Sequence, residues 1–121
     1  MLIKINDLPD DTLGFEAKGK VTGGDYEDEM VPAVEAALEG RDQIRFLYVL
    51  GEEFEGFSAD AAWEDTKLGL HHRKSFERIA LVSDNRLYRD GVAMFGKAMS
   101  ADVKVFATSE LAEARTWIAL T

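Results

Sequence analysis

The feature that most constrains the fold of this chain is a unit in which two apolar strands flank a helix. Residues 44–50 are apolar at every position except Arg45, which is typical of a central parallel strand covered on both faces. An acidic, aromatic loop follows, then a helix that begins at Ser58, and then a second apolar strand at residues 79–82. Because strand–helix–strand units form right-handed crossovers, this pattern predicts a mainly parallel sheet.

The flanking residues extend this unit in both directions. Residues 1–5 and 13–21 predict two strands joined by a turn-rich segment, and residues 103–106 predict a last strand. The element order is therefore ββαβαβαβα. It predicts an α/β fold with a mainly parallel five-stranded sheet, whose first strand lies antiparallel at an edge.

Capping residues predict where the other three helices begin. Thr22 and Asp25 have the spacing of a capping box, and Asp84 and Ser109 precede the last two helices. Pro32 lies about two turns into the first helix, where it removes a backbone hydrogen bond and predicts a bend.

The alternating side chains of the central strand require cover on both faces of the sheet. Phe46, Tyr48 and Leu50 point to one face, and Leu47 and Val49 point to the other. If the helices cover mainly one face, the other face needs a ligand, a loop or a partner subunit. A homodimer is therefore a further expectation.

Bulk composition limits both the architecture and the partners. The 121 residues, 46% hydrophobic and 31% charged, fit one folded domain spanning residues 1–121. The 23 acidic against 14 basic residues give a net charge of -9, which disfavours nucleic acid and anionic membranes as partners. The chain has no cysteine, no basic and apolar leader, and no stretch near the ~20 apolar residues that cross a bilayer. We therefore expect a cytoplasmic protein without membrane insertion.

Several short segments, spread over essentially the whole chain, have an order and spacing that are specific when taken together. They are Gly19-Lys20-Val21-Thr22, Asp25-Tyr26, Phe54-Glu55-Gly56-Phe57, Trp63-Glu64-Asp65-Thr66-Lys67, His72 and Phe76-Glu77-Arg78-Ile79-Ala80-Leu81-Val82-Ser83-Asp84. In these segments the chain resembles the SpoIIAA-like branch of the STAS superfamily, named for a bacterial sporulation anti-sigma-factor antagonist. The resemblance implies a small sheet with helices packed largely along one face, and a binding module without established enzymatic activity.

The resemblance also implies two kinds of ligand or partner. For proteins of this branch it implies carriage of an apolar ligand or lipid. The wider superfamily includes phosphorylation-switched partners of anti-sigma kinases, whose phosphoacceptor lies at the start of the helix after this same strand. Ser58 occupies a comparable place, although residues 56–60 do not reproduce the Asp-Ser/Thr-Gly context of those switches. Ser58 is thus a candidate phosphoacceptor, with a plain helix cap as the alternative.

Aromatic side chains beyond the central strand are the best candidates for a ligand site. Phe54 and Phe57 lie in the acidic loop, Trp63 follows one turn into the next helix, and Phe95 belongs to the helix after that. Loops at the carboxyl ends of parallel strands commonly form ligand pockets. We therefore expect these four side chains to contact a small apolar molecule. The alternative is that the rings only seal the end of the core.

The remaining polar groups do not form a recognisable catalytic or metal site. Adjacent helical residues such as His71 and His72 point about 100° apart, so they do not chelate a metal as an i, i+4 pair does. Glu64, Asp65 and Lys67 have the spacing of a solvated helix face with a local ion pair. No motif supplies a nucleophile, a metal site or a cofactor site, so we expect neither an enzyme nor a cofactor.

The residue patterns, together with what the resemblance implies, predict a non-catalytic, cytoplasmic binding module for a small apolar molecule or lipid. The alternative is a protein-interaction regulator of the anti-sigma-factor-antagonist type, switched by phosphorylation at Ser58. The first function places the site at the aromatic residues, and the second places it at the start of the following helix.

Overall fold

The computed structural model describes residues 1–120, which form a five-stranded sheet and four helices. The strands are β1 (Leu2–Lys4), β2 (Thr12–Val21), β3 (Ile44–Phe57), β4 (Phe76–Ser83) and β5 (Asp102–Phe106). The helices are α1 (residues 23–38), α2 (Ala59–His71), α3 (Arg86–Gly96) and α4 (Leu111–Ala119), with a 3₁₀ turn, Thr108–Glu110, before α4. The predicted order of strands and helices is confirmed.

The five strands follow one another across the sheet in sequence order. As predicted, β1 pairs antiparallel with β2, and all other neighbours are parallel. Because parallel crossovers are right-handed and each one steps in the same direction, α1, α2 and α3 lie on one face. The last helix, α4, packs on the opposite face. The expectation of helices largely on one face is therefore confirmed.

The side chains of β3 alternate between two cores. Phe46, Tyr48 and Leu50 belong to the core beneath α1, α2 and α3. Leu47 and Val49 belong to the opposite core, which is covered by α4 and by the connection between β1 and β2. The cover that the sequence requires on this second face thus comes from the chain itself.

The segment predicted to be an acidic loop, residues 51–57, is the second half of β3, so that prediction is wrong. It pairs with the end of β2, where Gly19 lies opposite Phe54. The register shifts around Gly19, and Gly56 adopts a positive φ of 118° that only glycine tolerates well. Pairing with β4 stops at Leu50, so the extension has a single strand neighbour. Acidic residues are depleted in strands, which is why the sequence favoured a loop here.

One turn of α1 is widened into a π-helix, Tyr26–Met30, between the α-helical residues Gly23–Asp25 and Val31–Leu38. Pro32 lies just after this turn. Proline has no amide hydrogen, so the carbonyl of Asp28 receives no α-helical hydrogen bond from it. The π-helical turn ends with a hydrogen bond from the Val31 amide to the Tyr26 carbonyl. The bend predicted at Pro32 stays a prediction.

Two of the predicted helix starts are confirmed. In the capping box of α1, the Asp25 amide donates to the Thr22 hydroxyl at 3.2 Å, and the Thr22 amide donates to the Asp25 carboxylate at 2.9 Å. At the start of α2, the Ala61 amide donates to the Ser58 hydroxyl at 3.2 Å. Caps of this kind contribute about 1 kcal/mol each. They fix where α1 and α2 leave the sheet.

The predicted helix starts at Asp84 and Ser109 are wrong. Asn85 caps α3, because its side chain accepts hydrogen bonds from two amides of the first turn. Asp84 instead accepts hydrogen bonds from Thr108, which ties the start of α3 to the turn before α4. The Glu110 carboxylate closes that 3₁₀ turn by accepting an amide hydrogen bond at 2.8 Å. Asp and Asn are equally good caps, so their adjacency hides the true start of α3.

Two glycines of α3 give a matched test of its packing. A Cβ at the buried Gly96 would overlap the side chain of Val103 on β5, whereas a Cβ at Gly91 would meet no atom within 4 Å. We expect Gly96→Ala to lower the free energy of unfolding by about 1–3 kcal/mol through overpacking. Gly91→Ala should raise it by roughly 0.5–1 kcal/mol, because alanine favours the helix. Urea unfolding followed by circular dichroism measures both, and equal effects would contradict this packing.

Candidate functional site

An apolar cleft lies between α2 and α3, above the face of the sheet formed by β3 and β4. It contains two neighbouring cavities of about 290 and 100 Å³. Five residues line both of them, namely Tyr48, Asp65, Leu81, Val92 and Phe95. The two cavities are therefore parts of one hollow, which we call the α2–α3 cleft.

The shape of the α2–α3 cleft follows from where its two helices touch. At Gly69 of α2 a Cβ would lie 2.7 Å from Cε1 of Phe95, so the absence of a side chain lets this ring reach α2. Near Gly91 the helices are apart, and the space is open. Leu50 and Ile79 contribute to the floor. The cleft is thus narrow at the end of α2 and wide towards its start.

Aromatic rings close the wide end of the cleft, where the extension of β3 meets α3. The ring centroid of Phe54 lies 4.9 Å from that of Phe57 and 5.6 Å from that of Tyr88, and Phe57 and Tyr88 are 5.4 Å apart. The rings of Tyr26 and Tyr48 lie 6.5 and 6.2 Å from Phe57. Tilted and edge-on contacts at these separations are favourable. The cluster therefore holds the β3 extension against α3.

The four aromatic residues predicted as ligand contacts occupy three different places. Phe57 and Phe95 both line the larger cavity. Phe54 packs behind Phe57 and contacts the core rather than the cavity. Trp63 lies on the outer side of α2 with 62% of its surface exposed, and the ammonium of Lys67 is 5.9 Å from its ring. Contact of these side chains with a ligand stays a prediction.

A chain of hydrogen bonds joins three elements beside the cleft. The hydroxyl of Tyr26, on α1, donates to Oδ1 of Asp65, on α2, at 2.7 Å. The hydroxyls of Tyr26 and Tyr48 are 3.0 Å apart. Because the single proton of Tyr26 goes to the carboxylate, Tyr48 is the donor in this second bond. The chain thus runs from β3 through α1 to α2.

Burial changes the acid–base properties of these three groups. Loss of hydration, together with the nearby Asp65 charge, raises the pKa of Tyr26 and Tyr48 well above the ordinary tyrosine value. Desolvation also raises the pKa of Asp65, and the hydrogen bond from Tyr26 opposes part of that rise. Asp65 is nevertheless exposed, since it lines both open cavities. Both tyrosines are therefore protonated at neutral pH.

Sequence reasoning missed the hydrogen bond of Asp65. Glu64 and Lys67 form the predicted local ion pair, with 2.8 Å between Oε1 and Nζ, and Asp65 is exposed as predicted, but it also accepts the hydrogen bond from Tyr26 at the cleft. The spacing of Asp65 along the helix indicates that it lies on the side facing the sheet. Asp65 lies four residues after the buried Ala61 and three before the half-buried Leu68, which places all three on one stripe. The hydroxyl of the buried Tyr26 needs a partner, and Asp65 supplies it.

Ser58 lies where the sequence predicted, at the start of α2, but its hydroxyl is engaged twice. It accepts from the Ala61 amide and donates to Oδ1 of Asp60. The hydrogen bond from Ser58 lowers the pKa of Asp60, so this carboxylate is ionised beside the hydroxyl. A phosphate on Ser58 would gain from the helix dipole but would be repelled by Asp60.

The two histidines lie outside the cleft, at the end of α2. The ring centroids of His71 and His72 are 4.7 Å apart. Within residues 1–120, no group of three or more His, Asp or Glu side chains is placed to hold a metal ion. None of the helices in that same part of the chain is long and apolar enough to cross a bilayer.

Asp65 should make the stability of the protein depend on pH. Its pKa in the folded chain is higher than the ordinary value of 3.8, so the protonated form of Asp65 stabilises the fold. This stabilisation is fully present below pH 3.8 and is lost as the pH rises through the folded pKa. Asp65→Asn removes this titration. The parent loses stability between pH 3.8 and the folded pKa of Asp65, whereas Asp65→Asn does not. We therefore expect the free energy of unfolding of Asp65→Asn minus that of the parent to increase with pH over this interval.

Tyr26→Phe is the matched variant for this prediction. It deletes the hydrogen bond that favours the charged carboxylate, so the loss of stability should shift to higher pH. Urea unfolding at a series of pH values from 4 to 9 measures both effects. A difference between Asp65→Asn and the parent that stays constant with pH would show that Asp65 does not titrate as the geometry implies.

Comparison with known proteins agrees with this architecture. The model of the SpoIIAA-like family matches residues 12–119, a range that includes every residue of the α2–α3 cleft. The chain is also similar to a solved structure, that of an uncharacterised protein with a SpoIIAA-like fold from Shewanella loihica PV-4. The two are 34% identical, the alignment covers 98% of this chain and 92% of that one, and the TM-score is 0.74. No curated protein matches the chain. The resemblance found in the sequence is thus confirmed, and the chain belongs to the SpoIIAA-like family.

Proposed function

We propose that this chain is a non-catalytic, cytoplasmic binding module that holds a small apolar molecule or lipid in the α2–α3 cleft. At a coarser level, its family and fold support a binding or regulatory module. The observation that carries the finer proposal is the cleft, with its cavities of about 290 and 100 Å³. Small-molecule sites are typically apolar hollows of roughly 300–1,000 Å³ with a few placed polar groups, and this cleft lies at the lower end of that range.

The mouth of the cleft also favours an apolar occupant. Leu87 lines the larger cavity although 76% of its surface is exposed. Covering apolar surface of this kind contributes about 25 cal/mol per Å² removed from water. An apolar molecule that enters beside Leu87 would gain this contribution in addition to its contacts with the floor.

The polar groups of the cleft support binding rather than catalysis. The raised pKa values of Tyr26 and Tyr48 keep both hydroxyls protonated, so neither is an activated nucleophile or base. Their protons are committed to the chain of hydrogen bonds that ends at Asp65. These groups are therefore arranged to hold the structure and to present fixed polar atoms to the cleft.

The alternative function, a protein-interaction regulator switched by phosphorylation at Ser58, has less support. The Ser58 hydroxyl lies at the start of α2, where a phosphate gains from the helix dipole, but it already donates to the ionised Asp60. Phosphorylation would break that hydrogen bond and place two negative groups side by side. Intact-mass analysis of protein isolated from its native cells would distinguish the two functions, because a retained apolar molecule and a phosphate differ in mass.

A cavity-filling variant tests the proposed site directly. Gly91 lines the larger cavity and has open space beside it, so Gly91→Leu should fill the cleft without disturbing the core. We expect the dissociation constant for the neutral apolar dye Nile red to rise about tenfold or more. Ala93→Leu is the matched control, since it adds the same side chain at an exposed position of the same helix. Equal affinities in the two variants would place the dye elsewhere.

A second pair of variants separates the predicted aromatic contacts. Phe95 lines both cavities, so Phe95→Leu should weaken Nile red binding by roughly threefold to tenfold. Trp63 lies on the outer side of α2, and we expect Trp63→Ala to change the affinity by less than about twofold. Fluorescence titration of both variants measures this. A larger effect at Trp63 than at Phe95 would move the site to the outer face of α2.

A further inference from the structure

Most hydroxyl groups around the larger cavity already donate their proton to a hydrogen bond within the protein. Thr66 donates to the carbonyl of Ala62 at 2.9 Å, Tyr48 donates to Tyr26, and Tyr26 donates to Asp65. Each of these hydroxyls has a single proton, so none of them has another to give. The polar atoms that remain for a ligand at this part of the lining are therefore acceptors.

Asp65 is the strongest of these acceptors. Its hydrogen bond from Tyr26 engages Oδ1, and no side chain or amide of residues 1–120 donates to Oδ2. None of the ion pairs formed within residues 1–120 includes Asp65, and the nearby Lys67 is paired with Glu64. Asp65 is exposed to solvent in the open cleft, and a ligand that covers it with a positive charge would supply the cation that it lacks.

The position of Asp65 determines where such a charge would lie. Asp65 and Tyr48 both line the two cavities, so they mark the junction between them. From this junction the larger cavity runs past Leu50 to the aromatic end at Phe57 and Tyr88. Tyr88 is the remaining hydroxyl of the lining, and it lies at that far end, beside Gly56. A charged group at the junction thus leaves the apolar space for the rest of the molecule.

We infer that the ligand is a cationic amphiphile, with a protonated amine that binds Oδ2 of Asp65 and an apolar body that fills the larger cavity. This inference rests on the proposed function, which it deepens by assigning the charge of the ligand. Charge-assisted hydrogen bonds to a carboxylate are about twice as strong as neutral ones. An anionic ligand of the same shape, such as a fatty acid, meets a like charge at the junction, where the neighbouring hydroxyl protons are already used.

Three probes with the same eight-carbon chain test the inference by isothermal titration calorimetry at pH 7. Octylamine, octanol and octanoate present a cation, a neutral hydroxyl and an anion on one apolar body. We expect octylamine to bind roughly tenfold or more tightly than octanol, and octanoate to bind most weakly. In Asp65→Asn the preference for octylamine over octanol should fall to near one.

Glu64→Gln is the matched control, because it removes the same charge from the neighbouring residue, which is paired with Lys67. It should leave the preference for octylamine intact. If octanol binds but octylamine gains nothing over it, or if both substitutions reduce the preference equally, the assigned charge is wrong while the apolar site stands. If none of the three probes binds, the proposed function fails and the inference fails with it.

Discussion

The hydrogen bond from Tyr26 to Asp65, with Tyr48 donating to Tyr26, joins α1, α2 and β3 beside the cleft. Burying the two tyrosine hydroxyls costs free energy unless they are hydrogen-bonded, so both depend on the exposed Asp65 carboxylate at the end of the chain. This network holds the first half of α2 towards α1. Further along, α2 meets α3 where Gly69 touches the ring of Phe95. The smaller cavity of the α2–α3 cleft lies near this second contact, and the larger cavity extends from Asp65 towards the start of α2.

The two faces of the sheet differ because the strands are added in one direction. Three crossover helices lie side by side on one face, and the cleft forms between two of them. On the other face, α4 is fixed by the buried Arg45, which donates to the carbonyl of Ile118 at 2.9 Å and pairs with Glu77 at 3.1 Å. One face thus serves as a closed core. The other carries the candidate site.

The sequence predicted much of the fold but only part of the candidate site. The alternation around Phe46 and Leu47 was sufficient to predict that both faces of the sheet need cover, whereas helices largely on one face were implied by the family resemblance. The β3 extension was missed because its pairing depends on β2, a partner distant in the sequence. Two of the predicted aromatic residues, Phe57 and Phe95, line the cleft, but the hydrogen bond that Asp65 accepts depends on Tyr26, 39 residues away. Local patterns do not contain such long-range pairings.

The central claim, that the α2–α3 cleft holds a small apolar molecule, is tested most directly by methyl NMR during titration with octanol. Leu81 and Val92 line both cavities, whereas Leu47 and Val82 lie in the opposite core. We predict saturable chemical-shift changes and octanol-to-methyl nuclear Overhauser effects at Leu81 and Val92, with no such contacts at Leu47 and Val82. Contacts confined to the opposite core or to the outer face of α2, or no contacts at all, would contradict the claim.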